Sequence, residues 1–302
     1  MKVLVLGGTR FVGKRLVRLL AERGHEVTVA SRGRTAVSFP DEVRRITLDR
    51  SDRDSLKAGL NSQHWDIVYD QICFSAADAS AIVDTISAKT ARYVVCSSAA
   101  VYRDPAISAG KPRLRISEES FEPLAFPIQH RSENLASDYD TYAEGKRMAE
   151  AVLFQKASFP VVSVRFPIIL GPDDYSKRLR FQVRRISSGE PVNIVNPESE
   201  ISLISSSEAA EFLSWLATVP HTGPFNACSE GSIALKTIVH DIENATGRDA
   251  IVKNQPDEPF SIFRAEQSFT MSSGKARRFG FTFSPTHDWL RDLIREEAEA
   301  AA

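Results

Sequence analysis

Apolar residues run unbroken through Val3-Leu4-Val5-Leu6, the pattern of a strand buried on both faces of a parallel sheet. Gly7, Gly8 and Thr9 interrupt the run. Phe11, Val12, Leu16, Val17, Leu19 and Leu20 then recur at helical spacing, with Lys14, Arg15 and Arg18 between them. This predicts a helix capped by Thr9 and stopped at Gly24. Further apolar runs predict strands at Val27–Ala30, Ile46–Leu48, Asp66–Tyr69, Tyr93–Cys96 and Val161–Val164. The segments between them are long enough for crossovers and mostly helical in pattern. Alternation of this kind gives an α/β protein with a doubly wound parallel sheet.

The regularity fades twice. Residues 103–137 hold several prolines, the basic run Lys111-Pro-Arg-Leu-Arg115 and a Phe/Pro-rich stretch, and read as an inserted loop region. Beyond Pro167 the pattern mixes helices, short strands and prolines. The expected division is a first domain over 1–165, insertion included, and a smaller C-terminal lobe over 166–302, partly interleaved with the sheet.

Composition narrows the class. Among 302 residues, 17 Phe, 6 Tyr and 3 Trp accompany the aliphatic residues, which excludes global disorder. Lys+Arg 38 against Asp+Glu 39 leaves a net charge of −1, which excludes a generic electrostatic binder of nucleic acid. Cys73, Cys96 and Cys228 are far apart and form no C-x-x-C, so reduced thiols are expected rather than disulfides or a zinc knuckle. The six histidines show no paired metal-ligand spacing, and no metal site is expected. The N-terminus is too polar for a signal peptide and no apolar run is long enough to span a membrane, so a cytoplasmic protein without a membrane partner is expected.

The first turn carries candidate chemistry. A buried strand, then Gly7-Gly8-Thr9-Arg10-Phe11-Val12-Gly13, then a helix is the arrangement that seats a pyrophosphate on a helix N-terminus. Gly7 permits the tight turn and Gly13 the close packing of helix on strand. The second strand ends Ser31-Arg32-Gly33-Arg34 with no acid to hold a ribose 2′-hydroxyl, and Arg32 and Arg34 offer charge for a 2′-phosphate. NADP is therefore expected in preference to NAD.

Tyr142-Ala-Glu-Gly-Lys146 sets a phenol and an ammonium on one helix face. An ammonium held near a phenol favours the phenolate, making it a usable proton donor and acceptor. Cys96-Ser97-Ser98 closes the fifth strand, at the end of the sheet where such folds bind ligands.

The glycine turn, the serine ending strand five, Y-x-x-x-K, and Arg165-Phe-Pro-Ile-Ile-Leu-Gly-Pro172 after strand six together resemble the extended short-chain dehydrogenases/reductases, the NAD-dependent epimerase/dehydratase-like proteins, over most of the chain. The resemblance implies a Rossmann fold with a C-terminal substrate lobe. It implies Ser98 as the holder of a substrate oxygen, with Ser97 as the neighbouring candidate, Tyr142 as general acid/base and Lys146 as the group that tunes it. It also implies a cofactor site formed by Gly7, Thr9, Arg10, Phe11, Val12, Gly13, Ser31, Arg32, Arg34, Asp49 at the adenine with Arg50 beside it, Gln71, Ile72, Pro167 and Ile168. Arg10 stands where the family has its middle glycine, with its side chain expected over the pyrophosphate.

Departures refine these expectations. Ala99 and Ala100 replace the Asp-Glu pair of the family's dehydratases, which argues against water loss, and Ile168 fills a slot where the family often has a diphosphate-contacting Asn. The expected activity is an NAD(P)-dependent oxidoreductase acting on a small carbonyl or alcohol, with a homodimer as a possible assembly. One alternative is a sugar-nucleotide epimerase with tightly held NAD. Another is an RNA-binding protein on the same fold, suggested by the Gly-Gly-Thr-Arg-Phe turn shared with chloroplast stem-loop binding proteins and by the basic segment Lys177–Arg185. That segment also fits a solvated amphipathic helix.

Overall fold

The computed structural model describes residues 1–60, 63–103, 112–128, 139–257 and 261–301. The chain forms two compact units: Met1–Arg103, Glu118–Phe166 and Ala209–Phe225 make the first, and Asp104–Ser117, Pro167–Glu208 and Asn226–Ala302 the second.

In the first unit the expected strands form as β1 (Lys2–Leu6), β2 (Glu26–Ser31), β3 (Arg44–Thr47), β4 (Ile67–Asp70) and β5 (Tyr93–Ser98). After the short strand β6 (Arg113–Ile116) of the second unit, β7 (Val161–Phe166) completes the row. They align in the order β3-β2-β1-β4-β5-β7 with every neighbouring pair parallel, and strand Gly223–Asn226 flanks β7. The order reverses between β1 and β4, which opens a crevice beyond their carboxyl ends.

Strand periodicity explains both faces. Leu4, Leu6, Val68, Val95 and Val161 face one way and pack on helices α2 (Arg53–Leu60), α3 (Ala76–Ile86) and α4 (Tyr139–Lys156) through Leu56, Leu60, Ile82, Ile86, Val152 and Leu153. Val5 and Val29 face the other way, toward Val17 of helix α1 (Phe11–Glu22). Residues 209–225 return to this face: Tyr69 donates its hydroxyl to the Leu213 carbonyl at 2.8 Å, and Arg23 in the α1 C-cap donates to Ser214 at 2.6 Å. The sheet is thus covered on both sides, as a doubly wound sheet requires.

Two local expectations change. The α1 N-cap is Arg10, which makes no side-chain capping bond, rather than Thr9. Helix α1 does stop as expected, with Gly24 at φ +77° donating to the Ala21 carbonyl. Of the expected 103–137 loop, residues 104–111 and 129–138 lie outside the described residues, Lys111 of the basic run among them. Arg113–Ile116 is a strand rather than a loop, because Phe269–Met271 supplies a parallel partner from far along the chain.

That pair extends to a four-stranded sheet in the second unit with Glu200–Ile201 and Ile233–Ala234. Asn226 is buried beside it and donates to the carbonyls of Ile116 (2.9 Å) and Ser272 (3.2 Å), a scaffolding role. Helices Arg178–Ser187, Leu235–Thr246 and Thr286–Glu299 close a second core through Val183, Ile186, Ile238, Ile242, Leu290 and Ile294.

Candidate active site

The glycine turn is built for close approach. Gly7 has φ +83°, and a Cβ there would lie 2.7 Å from the Ile72 side chain; one at Gly13 would lie 2.9 Å from the Gly7 carbonyl oxygen. The turns after β1 and β4 therefore meet at the crevice, with Gly7 N donating to the Ala30 carbonyl and Gln71 N to that of Leu6. Phe11, at φ +46°, sits in a left-handed conformation that costs an aromatic residue energy, in the middle of the turn. Val12 is buried, so only its backbone faces the turn; Thr9 is half-buried and Arg10 exposed.

Arg10 does not stand free over this turn. Its Nε donates to Thr35 Oγ1 at 3.3 Å, which draws the guanidinium toward the turn after β2. There Ser31 Oγ accepts from Gly33 N at 3.3 Å, and Arg32 and Arg34 are exposed. Asp49, beyond β3, accepts from the Ser51 hydroxyl (2.6 Å) and amide (3.0 Å). Those bonds, aided by the charges of Arg32 and Arg34, hold its carboxyl below the usual range. Asp49 and the two arginines thus share one patch.

Arg50 is turned inward. Its guanidinium pairs with Asp70, which is fully buried, and with Asp78 at 3.3 Å; the Arg50 side chain is 9% exposed. Burial opposes its charge, yet Asp70 leads the neighbouring groups that hold it more firmly protonated than an ordinary arginine. It lies beside Asp49 in sequence but offers no surface guanidinium.

Helix α4 carries Tyr142 and Lys146. The buried Lys146 ammonium donates to the carbonyls of Cys96 (2.8 Å) and Cys73 (2.9 Å), which ties α4 to the ends of β5 and β4. It lies 4.4 Å from the Phe74 ring centre and 5.8 Å from that of Tyr142, and those rings are 6.4 Å apart. Arg147 reaches the Arg103 carbonyl at 2.5 Å and so clamps α4 to the end of the helical turn Ala99–Tyr102.

The two serines separate cleanly. Ser97 is buried and donates to Glu150 Oε1 at 2.5 Å. Ser98 is half-buried and caps the Ala99–Tyr102 turn by accepting from Ala100 N at 3.1 Å. Glu150 also pairs with Arg165 at 2.6 Å, and Arg165, fully buried, donates to Tyr102 Oη (3.0 Å) and to the Glu118 and Phe121 carbonyls.

Glu150 and Phe74 hold the site without being singled out by the sequence pattern, and Arg165 joins them although the sequence marks it only as the start of the motif after strand six. A signal for Glu150 is nonetheless there, since Tyr142, Lys146 and Glu150 repeat at intervals of one helical turn. Pro167 and Ile168 belong to the second unit, where Ile168–Leu170 pairs in parallel with Leu203–Ser205.

A dinucleotide fits the first unit: the turn of Gly7 and Gly13 has no room for side chains, and cationic groups at Arg32 and Arg34 stand beyond β2. Among the described residues no helix is long and apolar enough to cross a membrane.

Known proteins agree with this architecture. The chain is 26% identical to the chloroplast stem-loop binding protein of 41 kDa b of Arabidopsis thaliana, a match covering 99% of this chain and 82% of that one. A shorter match, 39% identical, links 32% of the chain to 28% of the 2′-dehydrokanamycin reductase of Streptomyces kanamyceticus. The UDP-glucose 4-epimerase of Thermus thermophilus, solved in complex with NAD, superposes with a TM-score of 0.72 at 19% identity, covering all of both chains. Residues 3–228 match the NAD dependent epimerase/dehydratase family, and the chain belongs to that enzyme family.

Proposed function

We propose that the protein is an NADP-preferring oxidoreductase that interconverts a carbonyl and an alcohol on a small molecule. The observation that carries the reading is the bond from Lys146 to the Cys96 carbonyl, on the strand that ends in Ser98, with the Tyr142 ring centre 5.8 Å from the ammonium. When bound, the cofactor supplies or accepts a hydride at nicotinamide C4. The turn from Gly7 to Gly13, Gln71 and Ile72 would line it, with Asp49 at the adenine end. Ser98 orients the substrate oxygen, and Tyr142 gives or takes its proton. Lys146 keeps two donors on the Cys96 and Cys73 carbonyls and has one left for the phenol or a ribose hydroxyl.

The preference for NADP rests on the β2 turn. No acid ends β2, Arg32 and Arg34 are exposed beside Asp49, and Arg10 leans toward the same turn through Thr35. A 2′-phosphate would gain charge-assisted hydrogen bonds there. The second unit serves as the substrate lobe in this reading. The three free, buried cysteines suit a reducing compartment, the cytoplasm.

An epimerase with retained NAD would use the same three residues. RNA binding, prompted by the name of the Arabidopsis relative, draws less support from the basic helix Arg178–Ser187. Arg180 is committed to Glu297 at 2.5 Å, and Arg185 lies 5.4 Å over the Phe181 ring. The test is consumption of NADPH, followed at 340 nm, against a panel of ketones and aldehydes with Tyr142→Phe as the control. Turnover by the unaltered protein alone supports the reading, and equal turnover by both overturns it.

A further inference from the structure

The segment Gln71–Ser75 joins β4 to α3. Its amides are anchored on two carboxylates. Ile72 N donates to Asp70 Oδ1 (2.9 Å) and Phe74 N to Asp78 Oδ2 (2.9 Å), while Ser75 Oγ accepts from Asp78 N (3.1 Å). The anchors are in turn joined by one side chain, because Arg50 pairs with both Asp70 and Asp78 and also donates to the Asp78 carbonyl at 3.2 Å. Tyr93 donates its hydroxyl to Asp70, and this fills the remaining side of the cluster.

What the segment presents is specific. The Cys73 carbonyl accepts from Lys146, and the Phe74 ring, 43% exposed, lies against the Lys146 ammonium and near Tyr142. Moving the segment by the length of a hydrogen bond would release the lysine from one of its two carbonyls and withdraw the ring from it. Arg50 is bonded to Asp49 in the chain, and Asp49 faces Arg32 and Arg34. Arg50, with its side chain only 9% exposed, thus stands between Asp49 in the chain and the segment that meets Lys146.

We propose that Arg50 is a positioning residue: by clamping Asp70 and Asp78 it fixes Gln71–Ser75, and so sets Lys146, Phe74 and Tyr142 for the nicotinamide end of the dinucleotide without touching the adenosine end. The proposal rests on the dinucleotide-binding reading above, but not on the choice between NADP and NAD.

The experiment compares two affinities in the full-length protein. One is for the dinucleotide that the unaltered protein binds, read by nicotinamide fluorescence. The other is for its adenosine fragment, 2′,5′-ADP for NADPH or 5′-ADP for NADH, read by calorimetry. Arg50→Lys keeps the charge but loses the planar fork that reaches both carboxylates and the Asp78 carbonyl at once. Asp78→Asn keeps an acceptor for the Phe74 amide but removes one of the two charges that Arg50 pairs with, and Phe74→Leu removes the ring at an exposed position. Each is expected to weaken the dinucleotide about tenfold, the size of one charge-assisted hydrogen bond, and the fragment less than about twofold. Arg50→Lys combined with Phe74→Leu is expected to lose little more than either alone, since both act on one segment.

Equal loss of dinucleotide and fragment would make Arg50 an adenosine contact and overturn the proposal, as would unchanged affinity for both. If Arg50→Lys fails to fold, Asp78→Asn and Phe74→Leu decide by the same comparison. Failure of the unaltered protein to bind either dinucleotide would overturn the underlying reading and the proposal with it, whereas normal binding without the split overturns the proposal alone.

Discussion

The Lys146 ammonium donates to the Cys96 carbonyl at 2.8 Å, on the strand that ends in Ser98. That bond fixes α4 against β5 at the level of the reacting groups. Tyr142 lies one helical turn earlier on α4, its ring centre 5.8 Å from the ammonium. In the proposed reaction the hydroxyl of Tyr142 is the proton source. Tyr142→Phe should lower kcat by about 100-fold or more, the usual contribution of a positioned acid/base. Dissociation constants for the cofactor should move less than about threefold, since the ring and Lys146 remain. Steady-state kinetics with fluorescence titration checks both halves.

Arg32 is exposed at the end of β2, where its charge helps lower the Asp49 carboxyl. Arg32→Ala should weaken NADPH by about tenfold, one charge-assisted hydrogen bond, and leave NADH nearly unchanged. Parallel titrations measure the difference, and an equal effect on both would remove the 2′-phosphate from this turn.

Glu150 answers a fully buried arginine. Glu150→Ala leaves the Arg165 guanidinium uncompensated in the interior, with a cost of about 3–5 kcal/mol. Tm should fall by roughly 10 °C on the scaling for chains of this size. The pair Lys236–Glu198 is as short, at 2.6 Å, but exposed on both sides, and Glu198→Ala should change stability by less than about 1 kcal/mol. Differential scanning calorimetry on the two variants reads the contrast.

Burial pushes the thiols of Cys73 and Cys96 up to about 12. A thiol-exchange reagent at pH 8 should therefore find no reactive cysteine until the protein unfolds, Cys228 being buried as well. The sign of the pH dependence follows. The folded chain keeps these protons where the unfolded chain loses them near pH 9. Their contribution to stability is thus complete below about pH 9 and declines as pH rises toward 12. Urea unfolding of Cys96→Ala across that range should show a flatter decline than the parent.

Sequence legibility follows the range of the interactions involved. Strands such as β1 and β5 are apolar throughout because both faces are covered, and that leaves a mark within a few residues. The glycine turn and the Tyr142–Lys146 spacing are local in the same way. Strand β6 leaves no such mark, because Arg113, Leu114 and Arg115 have the pattern of a solvated loop; only the partner at Phe269–Met271 makes them a strand. Arg165 is legible only as part of the motif after strand six and Arg50 only as the neighbour of Asp49; their burial depends on Glu150, Asp70 and Asp78 arriving from other elements. Thr9 has the chemistry of a cap, but the turn places Arg10 at that position. The resemblance already prefers Ser98 to Ser97, and the structure adds a bond the sequence does not show, from Ser97 to the Glu150 carboxylate.

The most direct test of the central claim is cofactor content and preference. Purified protein is denatured, any released nucleotide is identified by mass, and the emptied protein is titrated with NADPH and NADH. Little retained nucleotide is expected, with NADPH bound at least about tenfold tighter than NADH. Retained, non-exchanging NAD would contradict that expectation in favour of an epimerase, and no binding of either dinucleotide would contradict the redox reading altogether.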